Sequence, residues 1–183
     1  SGDAEYWYNA VRYFKPARIV EVGSGNSTLV ARQAIAKNVQ DDPEYACEHI
    51  CIEPYSAPWL EKLGVGVVRS RVEDVEESYY SGLGRNDILF IDSSHVIRPQ
   101  GDVLTEFLQI LPKLASGVVV HVHDIFSPRD YSQAAIVGDV WFWNEQYLLE
   151  AFLTQGKEES TSLIEGYQRL EQIMAGGTAE TEN

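Results

Sequence analysis

The chain has 183 residues, of which 44% are hydrophobic and 23% charged, the balance of one soluble globular domain around a single core. Acidic residues outnumber basic ones 28 to 14, for a formal charge of −14. A surface of that sign repels nucleic-acid backbones and anionic lipid, so neither nucleic acid nor membrane is an expected partner, and a small neutral or cationic molecule suits it better. No apolar run nears the roughly 20 residues that cross a bilayer, and no charged-then-apolar leader opens the chain.

In chain order, the apolar spacing predicts alternating helices and strands. Asp3 to Phe14 reads as a helix with Ala4, Trp7, Tyr8, Val11 and Phe14 on one face, ended by Pro16. Arg18 to Val22 is a short strand and Gly23 to Asn26 a turn. Ser27 to Lys37 follows as a helix capped by Asn26 or Ser27. The polar run Asn38 to Glu48 is expected to be a surface loop. Further strands are expected at Ile50 to Glu53, Val65 to Arg69, Asp87 to Asp92 and Val118 to His123. A short helix, Ala57 to Leu63, carries Pro58 near its first turn. A longer one, Asp102 to Leu114, presents Val103, Phe107, Ile110 and Leu114 to the core and bends at Pro112. A loop from Asp124 to Gln133 leads to an aromatic-rich helix, Val140 to Leu153, on which Trp143 and Tyr147 share a face. A last helix from Ser162 to Met174 and a disordered tail from Gly176 to Asn183 complete the reading. Strands as continuously apolar as Asp87 to Ile91 imply helices on both faces of a doubly wound, mostly parallel α/β sheet. The main domain is expected over residues 1–156, with an extension over 157–183.

Cys47, His49 and Cys51 alternate, so a strand carries all three on one face. The two thiols are then about 13 Å apart at ~3.3 Å per residue, too far for a disulfide. A metal site there lacks a fourth ligand, so buried or loop thiols are the expectation, which fits a cytoplasmic protein.

The turn Gly23-Ser24-Gly25-Asn26-Ser27-Thr28 ends the first strand and opens a helix, and its two glycines let backbone approach a ligand closely. A dinucleotide fingerprint places a third glycine where this chain has Thr28, which disfavours a nicotinamide or flavin. Glu21, two residues before Gly23, would repel a pyrophosphate and attract the ammonium of an amino acid. Glu53, ending the second strand, suits the two hydroxyls of a ribose. Glu73, with Asp74, follows the third strand, where adenine would lie.

The ordered set RIVEVGSGNST, CIEP, NDILFIDSSHV, LPKLASGVVVHVHDIF and WFWNEQYLLEAFL resembles the class I methyltransferases of the methyltransferase 24 type, relatives of small-molecule O-methyltransferases of the catechol and macrolide-sugar kind. The resemblance runs from about Asp3 to Leu153. It implies a Rossmann-like sheet of order 3-2-1-4-5-7-6 with the seventh strand antiparallel, although no β-hairpin is legible in Gly156 to Asn183. It implies S-adenosylmethionine as cofactor, held by Glu21, Gly23, Ser24, Gly25, Ser27, Glu53, Glu73 and Asp92. It also implies a divalent ion, Mg²⁺ or Mn²⁺, on Asp92, His123 and Asp124, although oxygen ligands are more usual at the position of His123.

The expected reaction is in-line displacement at the methyl group by a hydroxyl of a small-molecule acceptor. A metal would acidify that hydroxyl; without one, His95 or His123 is the candidate general base. His121 is expected to be a buried structural histidine. Trp141, Phe142, Trp143 and Tyr147 belong to the core, to a homo-oligomer contact or to the wall of an acceptor pocket. Two other readings are a non-catalytic scaffold domain of the same fold and a metal hydrolase built on His121-Val122-His123-Asp124.

Overall fold

A computed structural model describes residues 2–55 and 57–155. The helix expected at Ser162 to Met174, the tail from Gly176 and the extension 157–183 lie outside the described residues. Helix α1 is Gly2–Phe14, strand β1 Arg18–Val22, helix α2 Asn26–Asp41 and strand β2 Glu48–Ile52. A 3₁₀ turn at Leu60–Leu63 precedes β3, Gly66–Val68. A second 3₁₀ turn, Val72–Asp74, and the one-turn helix α3, Ser78–Ser81, lead to β4, Ile88–Ile91. Helix α4, Asp102–Thr105, continues as a π turn, Glu106–Ile110, and a 3₁₀ turn, Leu111–Lys113, before β5, Val119–Val122. A π turn at Ala134–Gly138 and helix α5, Glu145–Gln155, close the described chain.

All five strands pair in parallel in the order β3-β2-β1-β4-β5. This is the first part of the order implied by the resemblance, and its sixth and seventh strands have no counterpart among the described residues. Strand alternation sorts the core into two layers. Ile19, Ile88 and Phe90 pack under α1 and α2 with Trp7, Ala10, Val11, Ala31, Ala34 and Ile35. Val20, Val22, Leu89 and Ile91 face the other way, against Ile52, Val72, Tyr80, Leu83 and Ile110. No helix of the described residues is long and apolar enough to cross a membrane.

The short helix expected at Ala57 to Leu63 is only the 3₁₀ turn Leu60–Leu63, and three further boundaries shift for local reasons. Helix α2 runs past Lys37 to Asp41, because Asn38 is buried and donates its amide to the carbonyl of Val11 (3.2 Å), while Lys37 pairs with Asp41 one turn on (2.6 Å). The long helix after β4 keeps Val103, Phe107 and Ile110 in the core but loses regular α geometry ahead of Pro112, which has no N–H to donate. The aromatic helix begins at Glu145, not Val140. The N–H groups of Asn144 and Glu145 both go to the carbonyl of His95 (3.0 and 3.3 Å), and residues 141–144 take no helical conformation. Trp143 and Tyr147 therefore share no helix face; Trp143 lies on the ring of His95 instead.

Candidate functional site

The first βα turn follows from β1 alternation. Glu21 points to the same face as Ile19, under the start of α2, and is fully enclosed. Ser27 Oγ (2.6 Å) and Thr28 Oγ1 (3.0 Å) donate to its Oε1, and His49 Nε2 (2.9 Å) and Cys51 Sγ (3.6 Å) meet its Oε2. Glu21 therefore does not stand open to an ammonium group: its carboxylate ties β1, β2 and the first turn of α2 together. The helix cap is Gly25, not Asn26 or Ser27, and Gly25 N–H donates to Thr28 Oγ1 (3.1 Å). Gly23 has φ 87°, and a Cβ there would lie 2.2 Å from the carbonyl oxygen of Asp92. Only a glycine lets the ends of β1 and β4 meet in this way.

Glu53 stands at the rim beyond β2. Its Oε2 accepts from Ser24 Oγ (2.7 Å) and its Oε1 from the N–H of Tyr55 (2.9 Å), linking the loops after β1 and β2. A carboxylate has about four acceptor positions, so room remains for ligand hydroxyls. Glu73 sits in the 3₁₀ turn beyond β3 and pairs with Arg98 from the loop after β4 (3.3 Å). Asp74 turns outward to Arg71.

The loops after β4 and β5 bring together the remaining candidates. His95 Nε2 lies 3.4 Å from Asp92 Oδ1 and 3.8 Å from Asp124 Oδ2. His123 Nδ1 lies 3.6 Å from Asp92 Oδ1 and 3.2 Å from Asp124 Oδ1. Asp92, His95 and Asp124 each offer a donor atom within 4.8 Å of the others; in this group His95 stands where His123 was expected beside Asp92 and Asp124. His123 Nδ1 is itself buried with no hydrogen bond of good geometry, and two carboxylates with an imidazole form a donor set that a divalent ion accepts. The protein's residues therefore fit such an ion.

Charge reinforces the cluster. Burial alone would lower the basicity of His95, but hydrogen bonds to Asp92 and Glu145 outweigh it and lift the ring to about 10. The contact with Asp124 raises His123, and His123 in turn lowers Asp124. In the resting chain at neutral pH, then, His95 is an imidazolium among three carboxylates. His121 is different: it stacks on Phe90 (4.7 Å) and is tilted against Trp7 (5.4 Å), and desolvation pushes it down to about 4, so it is neutral, though half-buried where a buried structural histidine was expected.

Two acidic residues of the site escape a reading of the sequence. Glu145, whose side chain is wholly enclosed, holds His95 Nδ1 at 2.8 Å from 50 residues away. Glu106, on the core face of the helix after β4, accepts from Ser93 Oγ (3.0 Å), and burial and then Glu145 raise its carboxyl well above the usual range. Its signal was present: an acid among Val103, Phe107 and Ile110 on a face otherwise apolar. Glu145 has no such local mark. Under the turn, Glu21, His49 and Cys51 also converge within 4.8 Å, without Cys47, and hydrogen bonds among them account for the arrangement.

A family model described as "Methyltransferase domain" matches residues 20–125, more than half of the chain, from within β1 to just beyond β5. An uncharacterized protein of Archaeoglobus fulgidus is 32% identical over 91 residues, which make up 47% of this chain and 39% of that protein. The chain thus matches well under two thirds of that relative's length. No solved structure matches significantly.

Proposed function

The chain belongs to this methyltransferase domain family, and from that premise we propose that it methylates a hydroxyl group of a small-molecule acceptor, with S-adenosylmethionine as donor, at the open ends of β1, β2, β4 and β5. When bound, the cofactor supplies a methyl group on a sulfonium, and a divalent ion supplies positive charge that acidifies the attacking hydroxyl. The observation that carries the reading is the convergence of Asp92, His95, His123 and Asp124 beside the glycine turn. Ligands of open α/β sheets bind at this rim.

Each part of the rim has a role in this reading. Gly23, Ser24 and Gly25 offer close backbone, Glu53 takes ribose hydroxyls, and Glu73 borders the adenine. Glu21 and Ser27 act from below by fixing the turn. Asp92, Asp124 and one imidazole, His95 or His123, would hold Mg²⁺ or Mn²⁺. In the resting chain a proton already occupies His95, so His95 accepts a proton from the acceptor only after that one has left. The same proton must also leave before His95 can ligate an ion. The aromatic stretch reinforces the choice of acceptor: Trp141 and Trp143 lie 4.0 Å apart, and Trp143 lies 4.4 Å from His95, so an apolar wall adjoins the polar cluster. The free thiols of Cys47 and Cys51 suit a reducing compartment such as the cytoplasm.

Two measurements test the reading. S-adenosylhomocysteine at 100 times its dissociation constant adds about 2.7 kcal/mol of stability. The melting temperature is expected to rise accordingly, and no rise at saturating ligand removes the cofactor. Calorimetry with Mg²⁺ and Mn²⁺ is expected to show binding to the wild type that Asp124→Ala weakens at least tenfold; equal binding by both moves the ion elsewhere.

A further inference from the structure

His95 is gripped by a segment far from it in sequence. Its backbone is left-handed, with φ 58°, a conformation uncommon outside glycine. Its carbonyl takes the N–H groups of Asn144 and Glu145, and Asn144 Oδ1 takes the N–H of Ile97 (2.6 Å). Trp143 lies against its ring, and Glu145 Oε2 sits 2.8 Å from Nδ1. The other ring nitrogen, Nε2, faces Asp92 and Asp124.

We propose that Glu145 is a positioning residue: by taking the Nδ1–H of His95 it fixes the ring so that Nε2 is the atom presented to Asp92, Asp124 and the acceptor. The proposal rests on the reading above that the chemistry occurs at this rim. An ionised carboxylate only accepts hydrogen bonds, so the nitrogen it touches must carry hydrogen. Nε2 is then the ring nitrogen left to face Asp92 and Asp124. Rotating the ring by half a turn would leave the enclosed carboxylate without its partner, a costly outcome for a buried charge. A carboxylate behind a histidine in this way sets both the tautomer and the direction of the ring. Glu145 also stands in the first turn of an 11-residue helix, where negative charge is favoured.

The test uses the full chain, wild type and with Glu145→Gln or Glu145→Ala. In imidazole ¹⁵N–¹H spectra without metal, the wild type is expected to show a slowly exchanging Nδ1–H, assigned by its loss in His95→Gln. Glu145→Gln keeps the signal, shifted, because the amide oxygen still accepts; Glu145→Ala loses it. With Mn²⁺ alone as probe, Glu145→Ala is expected to bind about 10–100-fold more weakly, and Glu145→Gln to keep most of the affinity. All three should give the same melting shift with S-adenosylhomocysteine, which shows that the fold and the cofactor seat survive. A wild type with no slow Nδ1–H, or an alanine variant with wild-type Mn²⁺ affinity, overturns the proposal. Absence of any cofactor shift in the wild type counts against the methyltransferase reading instead. Absence of Mn²⁺ binding in the wild type removes the ion from that reading and leaves the ring-proton signal to decide here.

Discussion

Replacing Gly23 by alanine is expected to destabilise the protein by about 2–5 kcal/mol, from overpacking of about 1–3 and a left-handed backbone of about 1–2. The new Cβ would meet the Asp92 carbonyl at 2.2 Å, and that atom is backbone with no side-chain rotation to relieve it. Something must move, and what moves is the join between β1 and β4, where the N–H of Asp92 donates to the carbonyl of Val22 (3.0 Å). Asp92 belongs to the polar cluster, so the damage reaches the site as well as the fold. Against a total stability of roughly 5–15 kcal/mol the loss is large, and urea unfolding reads it directly. Gly25→Ala is the control. A Cβ there meets nothing within 4 Å, and its backbone is extended, so the fold should hold. If the turn seats the cofactor, Gly25→Ala keeps its urea midpoint yet loses the melting shift with S-adenosylhomocysteine. An unchanged midpoint for Gly23→Ala would disprove the packing argument, and an unchanged shift for Gly25→Ala would move the ligand away from the turn.

The second large effect is on pH. In the folded, metal-free chain His95 holds its proton up to about 10, against 6.5 for a free imidazole. Above 6.5 the folded state therefore binds more protons than the unfolded one, and stability must fall as pH rises. The contribution is complete below pH 6.5 and gone once pH passes 10. At about 1.4 kcal/mol per unit, the loss attributable to His95 is of the order of a few kcal/mol. Urea midpoints from pH 7 to 10 in the presence of a chelator measure it. The wild type should lose stability across this window more steeply than His95→Gln, since lysines, tyrosines and thiols titrate alike in both. Parallel curves would mean that the three carboxylates do not hold the proton.

Much of the fold is legible in the residues because its strands are short, apolar and separated by glycine or proline. Ile88–Ile91 and Arg18–Val22 have one compatible role each, and the turn at Gly23 fixes where the rim lies. Asp92, His123 and Asp124 can be placed at the rim from the residues alone for the same reason: each ends or follows a strand that the pattern locates. Three features were not legible. The direction of Glu21 depends on which face of β1 is covered by α2, and period-two alternation with Ile19 sends it into the interior. The start of α5 depends on a carbonyl 50 residues away, so the aromatic run reads as helix when its neighbours alone are considered. Glu145 was hidden by the same distance. Local pattern reports what a residue's own element does with it, and says little about polar partners that tertiary contact supplies.

The backbone at His95 and at Asp124 carries φ of 58° and 56°. That has a consequence for anyone redesigning the cluster. Side chains branched at Cβ are all but barred from both positions, and Asn or Gly is the most comfortable guest. A library that exchanges donor atoms, for instance to recruit a softer cation, should therefore leave these two backbone positions alone and diversify Asp92 and His123, which are free of that handicap.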